Sequence, residues 1–374
     1  MKNKLELYIH IPFCIRKCRY CDFLSAPADG ETRARYVGAL CNEIKQRGKE
    51  YPDYILSSIF VGGGTPTSLE TEQLSEIFET VSGSFDILPD AEITVECNPG
   101  TLTYEKLTAL KKAGVNRLSI GLQSALPDEL KTLGRIHSYE DFEKNYFLAR
   151  EMGFDNINVD IMQSLPGQTL EKAVKTLEKV IALEPEHISV YSLIVEEGTP
   201  FYKEYGNHPE LLPDEDTERE IYWKSAEILE KSGFGHYEIS NYAKPGCECR
   251  HNIGYWTGTE YLGVGTGAAS FIGKERFSND SDLVSYIKTG NKHIDIQKLE
   301  PEELMSEYMI LGLRMVKGVS ISEFERRFGK TLQDEYGEII ERFTELELLE
   351  TEGGFLRLTK RGLDISNSVM CEFM

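Results

Sequence analysis

No apolar run in the 374-residue sequence is long enough to cross a bilayer, and no basic-then-apolar signal region opens it. Both absences point away from insertion and secretion and toward the cytoplasm. Positive charge is scarce: 41 Lys and Arg face 62 Asp and Glu, a formal charge of −21. Such a field repels phosphate backbones and anionic lipid, so non-specific nucleic-acid and membrane-surface binding are excluded. Repeats and low-complexity tracts are also missing. Without a secretion signal, the eight cysteines are expected as thiols in a reducing compartment, not as a disulfide framework. What remains is an ordinary globular composition, long enough for one large domain with an appendage.

The first half alternates β-rich runs with amphipathic stretches. Residues 5–11, 57–63, 92–98, 117–123, 156–162 and 187–194 read as six strands, rich in Val, Ile and aromatics and bounded by turn residues. Helical patterns lie between them, among them 32–51, 102–114 and 169–183. Strand–helix alternation implies parallel strands with right-handed crossovers. Six units fall short of the eight of a closed barrel, so the expected fold is α/β, a partial (open) TIM-type β/α barrel, with a doubly wound sheet second. A helix over 217–233 leads into a Gly- and aromatic-rich extension at 236–272. Residues 273–300 are polar and read as a linker. Residues 301–374 read as a small winged-helix-like domain.

Chemistry gathers at the carboxyl ends of strands in such folds. Here the first strand runs into "HIPFCIRKCRYCDF" and the second into "GGGTP". The third ends at Glu96 and Asn98, the fourth at Gln123, the fifth near Asp160 and the sixth at Tyr191 and Ser192. Cys14, Cys18 and Cys21 are one thiolate short of a filled structural site. Three thiolates can hold a 4Fe–4S cubane by three corners and leave its fourth iron to a non-protein ligand. Zinc with His10 as fourth ligand is the alternative. Cys41, Cys97 and Cys371 lie in helix, strand and tail patterns and are expected to be dispensable. The glycines of 61–67 let backbone approach a ligand closely, and without a G-K-[ST] they do not make a phosphate loop.

With this cysteine spacing followed by a glycine-rich second loop, the chain resembles the radical S-adenosylmethionine (SAM) superfamily. The resemblance implies a 4Fe–4S cluster whose open iron is chelated by SAM. It also implies SAM contacts at Tyr8, Tyr20, Gly63, Gly64, Thr65, Glu96, Gln123, Arg135, Asp160 and Ile194. Charge and hydrogen-bonding capacity suit Glu96 to the SAM ammonium, Arg135 to a carboxylate and Asp160 to ribose hydroxyls.

The stretches "YIHIPFC", "ECNPGTL", "GLQS" and "NVDIM", with a C-terminal "LTKRGLDISNSV", narrow the resemblance. They are similar to the branch containing oxygen-independent coproporphyrinogen III dehydrogenase and its haem-chaperone relatives. Phe23 stands where the dehydrogenase pattern has a further cysteine, and only a few residues precede the first strand. Both features suit the haem-binding relatives. His251, Asn252, Tyr255 and Trp256 reproduce the H-N-x-x-Y-W signature of the haem-chaperone (HemW-type) family. A neutral imidazole can ligate haem iron, and Tyr and Trp rings can cover a porphyrin face. Cys247, Cys249 and His251 share one face if that segment is extended. Many relatives carry a histidine where this chain has Ala269. The expected function is a haem chaperone that passes haem to respiratory acceptor proteins, with a radical enzyme acting on a porphyrin second and a zinc-stabilised α/β protein third.

Overall fold

The computed structural model describes residues 2–290 and 292–374. The six expected strands form: β1 (Asn3–Ile11), β2 (Tyr54–Gly63), β3 (Asp86–Cys97), β4 (Arg117–Gln123), β5 (Ile157–Gln163) and β6 (His187–Ser192). They lie side by side in chain order, each parallel to the next. Helices Gly30–Glu50, Thr71–Ser84, Tyr104–Lys112, Tyr139–Glu151 and Leu170–Ile181 make the crossovers. Their starts follow ordinary capping chemistry. Asp29, Thr103, Ser138 and Thr169 each accept the backbone N–H three residues on.

The strands carry two different faces. Leu5, Leu7, Ile9 and Ile11 pack outward into the main hydrophobic core with Tyr36, Val37 and Leu40 of the first helix. The alternate residues turn inward and are polar although buried: Glu6, Ser58, Glu92, Arg117, Ser119, Asn158 and His187. Several of them pair with one another, while Glu6 Oε2 and Arg117 Nε find no hydrogen-bond partner among the described residues. Asn158 donates to Ser119 Oγ (2.8 Å) and hydrogen-bonds His187 Nδ1 (2.6 Å).

The sheet continues past these strands on both sides. A hairpin of β7 (Gly235–Glu238) and β8 (Asn241–Ala243) pairs antiparallel beyond β6. On the other side β9 (Tyr261–Val264) runs parallel to β1, Glu6 opposite Tyr261. Next come antiparallel β10 (Ala269–Ile272), β11 (Glu275–Asn279) and β12 (His293–Lys298). The twelve strands make one open sheet.

The expected linker at 273–300 is therefore corrected. Most of it is β11, a helix Leu283–Thr289 and β12. Its composition misled because edge strands expose most of one face and so read as loop. A buried carboxylate ties it down: Glu43 accepts from the Tyr286 hydroxyl (2.6 Å), Asn279 Nδ2 (2.8 Å) and the Gly265 N–H (2.9 Å).

The C-terminal region has its own core of Met305, Met309, Leu313, Phe324, Phe343, Leu356 and Phe373. Helices Pro301–Gly312, Ile321–Phe328 and Leu332–Glu345 pack around β13 (Val319–Ser320), β14 (Leu349–Glu352) and β15 (Phe355–Leu358), ordered β13-β15-β14. No helix among the described residues is long and apolar enough to cross a membrane.

Candidate functional site

The loop after β1 is held rigidly at the carboxyl ends of the strands. Cys14 N–H donates to Ala26 O (3.2 Å), Ala26 N–H to Pro12 O (3.0 Å) and Arg19 N–H to Leu133 O (3.0 Å). The glycine loop locks beneath it, Gly64 N–H reaching Ile11 O (2.8 Å) and Thr65 N–H reaching Phe13 O (2.7 Å). Glycine is required at two places. Gly63 has φ +106°, and a Cβ there would meet the His10 ring at 2.4 Å. At Gly64 it would meet Phe13 O at 2.7 Å.

Cys14, Cys18 and Cys21 line one chamber of about 290 Å³ together with Tyr20, Gly63, Gly64, Glu96, Gln123, Arg135 and Asp160. Thr65 stands just behind it, donating to Cys14 Sγ (3.6 Å) and accepting from Asn98 (2.7 Å). Tyr8 and Ile194 do not line the chamber. Tyr8 lies deeper, its hydroxyl hydrogen-bonded to His10 Nδ1 (3.0 Å), and Ile194 is exposed beyond β6. His10 Nε2 donates to Leu24 O (2.9 Å), so both ring nitrogens are engaged and neither is offered to the thiols as a fourth ligand. Three thiols, bare backbone and a guanidinium fit a three-point cluster with an organic cofactor at its open corner.

Electrostatics sharpen each role. Arg135 Nη1 reaches Cys18 Sγ (3.4 Å) and Nη2 reaches Asn98 Oδ1 (2.9 Å), fixing one cation beside the sulfurs. Burial pushes the Cys21 thiol up to about 11; a metal ion displaces that proton on binding. Burial, then the neighbouring Asp160, raises Glu96 to about 8. Asp160 is held by Ser119 Oγ (2.9 Å) and Asn158 Nδ2 (2.8 Å). Gln123 closes β4 with φ +72°, a left-handed conformation uncommon outside glycine.

Sequence reasoning missed Ser119, Gly121 and Met162, which also line the chamber. The signal was available: Arg117, Ser119, Gly121 and Gln123 are alternate residues of one strand and share a face. Cys97 reaches the wall as well, but its thiol donates back to Val95 O (3.4 Å).

The second group of expected residues lies on a helix, Arg250–Trp256, that packs against the inward faces of β1, β2 and β3. Glu92 caps it, accepting from the N–H groups of Arg250 (3.0 Å) and His251 (3.1 Å) and from Cys249 Sγ (3.4 Å). The condition for Cys247, Cys249 and His251 to share a face, an extended segment, is not met. Cys249 precedes a helix and bonds Glu92, so Cys247, Cys249 and His251 do not share a face. Gly254 lies against Glu6, where a Cβ would come within 2.0 Å of the carboxylate.

His251 is buried. Its Nδ1 hydrogen-bonds Ser58 Oγ (2.8 Å), its Nε2 the Tyr255 hydroxyl (3.2 Å), and its ring stacks on Phe60 at 5.2 Å. Burial, then Arg117, lowers it to about 3, so it is neutral. Tyr8 stacks on the far side of Phe60 (6.4 Å), and Tyr255 continues to Tyr261 (4.6 Å). A column of rings therefore joins the residue behind the cysteine chamber to the outer strands. Trp256 lies under the Arg314 guanidinium at 4.3 Å. Asn252 is half-buried and Ala269 is exposed.

The chain matches the radical SAM superfamily over residues 8–180 and the HemN C-terminal domain over 299–365. It is 39% identical to the heme chaperone HemW of Bacillus subtilis, covering 98% of each chain. It is 34% identical to the heme chaperone HemW of Lactococcus lactis, covering 98% of this chain and 96% of that one. Among solved structures, coproporphyrinogen III oxidase (HemN) of Escherichia coli, described as a radical SAM enzyme, superposes with a TM-score of 0.85 over all of this chain and 90% of its own. At 24% identity that likeness concerns the fold.

Proposed function

The chain belongs to the family of the heme chaperone HemW, within the radical SAM superfamily, and we propose that it is itself a haem chaperone that holds a SAM-ligated 4Fe–4S cluster and passes haem to acceptor proteins. The reading is carried by one combination: a three-thiol chamber at the strand ends and a His251–Tyr255–Trp256 helix packed into the same barrel. Cys14, Cys18 and Cys21 would hold the cluster. Gly63, Gly64 and Glu96 suit the SAM ammonium, Arg135 the carboxylate and Asp160 the ribose hydroxyls. Tyr8, Tyr20, Thr65, Gln123 and Ile194 complete the set at the chamber and its surroundings. When bound, the cluster supplies the electron that cleaves the S–C bond of SAM.

The protein's own part is electrostatic. With no cation beside it, the Glu96 carboxyl near 8 is mostly protonated at neutral pH. An ammonium brought against it favours the carboxylate and releases that proton. For haem, His251, Asn252, Tyr255 and Trp256 are the family signature. Both ring nitrogens are engaged, so ligation of iron by His251 would require Nε2 to leave the Tyr255 hydroxyl or Nδ1 to leave Ser58 Oγ. Respiratory proteins are the proposed acceptors and the cytoplasm the proposed location.

The test is anaerobic reconstitution followed by parallel assays. Cys14→Ala, Cys18→Ala and Cys21→Ala are each expected to lose the cluster iron and sulfide, while Cys41→Ala and Cys371→Ala keep them. Haem binding with no decarboxylation of coproporphyrinogen III supports the chaperone. Robust turnover of coproporphyrinogen III by the reconstituted protein would sink that reading.

A further inference from the structure

A second cavity, of about 410 Å³, opens outside the barrel, between the end of the signature helix, the outer strands β9–β11 and the C-terminal domain. Its walls are unusually aromatic: Tyr255, Trp256, Tyr261, Phe271, Tyr308 and Phe328 all line it. The size falls within the roughly 300–1,000 Å³ of small-molecule sites. Flat rings on several sides suit a flat, largely apolar guest, which gains from stacking and edge contacts.

The charges around it are as informative. In a chain of −21, this cavity is lined by three cations, Lys274, Arg276 and Arg327, against two carboxylates, Glu260 and Glu307. Arg276 is committed, donating to both Glu307 oxygens (2.6 and 2.7 Å). Lys274 is exposed and forms no ion pair among the described residues. Arg327 shares the single carboxylate of Glu323 with Arg326 and lies over the Tyr308 ring at 4.9 Å. Glu260 at the rim accepts from the Gly273 N–H (2.7 Å), so the lining cations outnumber the carboxylates by one, and Lys274 and Arg327 are the two not held in a one-to-one pair with a carboxylate. That pattern complements a planar macrocycle bearing two carboxylates.

We propose that this cavity is the seat of the haem macrocycle, with the propionates on Lys274 and Arg327 and the C-terminal domain forming one wall. The inference rests on the haem-chaperone reading and adds a location to it. Only Tyr255 and Trp256 of the signature face this cavity. His251 stands behind Tyr255, one hydrogen bond from the wall. The C-terminal domain thereby acquires a ligand-binding role that its acidic, DNA-unfriendly surface leaves open.

The full-length protein is titrated with haemin, with protoporphyrin IX and with its dimethyl ester. Lys274→Glu combined with Arg327→Glu is expected to weaken haemin and protoporphyrin IX at least tenfold and to leave the ester unchanged. Leu311→Trp, which fills the cavity, is expected to weaken all three at least tenfold. Unchanged affinity in both folded variants overturns the location while leaving the chaperone reading standing. Absence of haemin binding by the unmodified protein overturns both. Should Leu311→Trp fail to fold, the two exposed charge reversals decide alone. A tenfold loss with the ester as well as the acids in that pair removes the propionate assignment.

Discussion

At the scale of single residues, the buried titratable groups set how stability depends on pH. His251 near 3 is neutral in the fold yet protonates in the unfolded chain around the ordinary histidine value of 6.5. Its contribution is present above that value and is lost as pH falls through the acid range. Glu6, raised to about 9 by burial, and Glu96, at about 8, act in the opposite sense. Their contribution is complete below about 4.5 and drains away as pH climbs through 8 and 9. From these three groups alone, melts of the cofactor-free protein are expected to peak near about pH 4.5 and decline on both sides. Glu96→Gln should flatten the alkaline decline without altering the acid one; an unchanged alkaline limb would show that Glu96 is already ionised. His251→Ala removes a stacked ring and leaves the Ser58 and Tyr255 hydroxyls without their partner, a loss of about 2–4 kcal/mol by denaturant titration. Haem and iron–sulfur absorption measured on the same sample separate its roles. Loss of haem bands alone marks a ligand, and loss of both marks a folding residue.

Elements differ sharply in how far the sequence foretold them. The six parallel strands stand out because Val and Ile runs alternate with helices, and β4 begins and ends where expected. The outer strands do not, because β12 exposes four of its six residues and its composition is that of a loop. What organises that region is a single buried glutamate on the first helix, and no local pattern announces a contact made across the whole chain. The cysteine chamber was recognisable from spacing. The burial of His251 was not, since it follows from capping by Glu92, a residue far away in sequence, and from a hydrogen bond to Ser58 of β2. Gly254 is the point where this helix meets Glu6. Gly254→Ala forces a methyl group into that carboxyl and is expected to cost about 1–3 kcal/mol, read as a lowered melting temperature. Pairing it with Glu6→Ala should restore most of the loss. If the single variant melts like its parent, the helix does not pack as described.

For the molecule as a whole, Arg314 is one tie in the joint between barrel and C-terminal domain, beside Trp223–Asp364 and Arg276–Glu307. It covers Trp256, lies 3.6 Å from the fully buried Glu238, and its carbonyl accepts the Ile239 N–H (3.1 Å). Arg314→Ala leaves a buried carboxylate without its cation, which costs about 3–5 kcal/mol, and Glu238→Gln in the same chain should recover much of it. A double variant no more stable than the single one would assign the loss to the Trp256 contact. The same integration has a consequence for how the protein is made. Glu6 pairs with Tyr261, so the outer edge of β1 has no partner until β9 has been translated. Throughout that interval the nascent chain displays a bare strand edge together with three reactive thiols, a combination prone to aggregation and oxidation. Biogenesis of this protein is thus a race between elongation and capture of that edge.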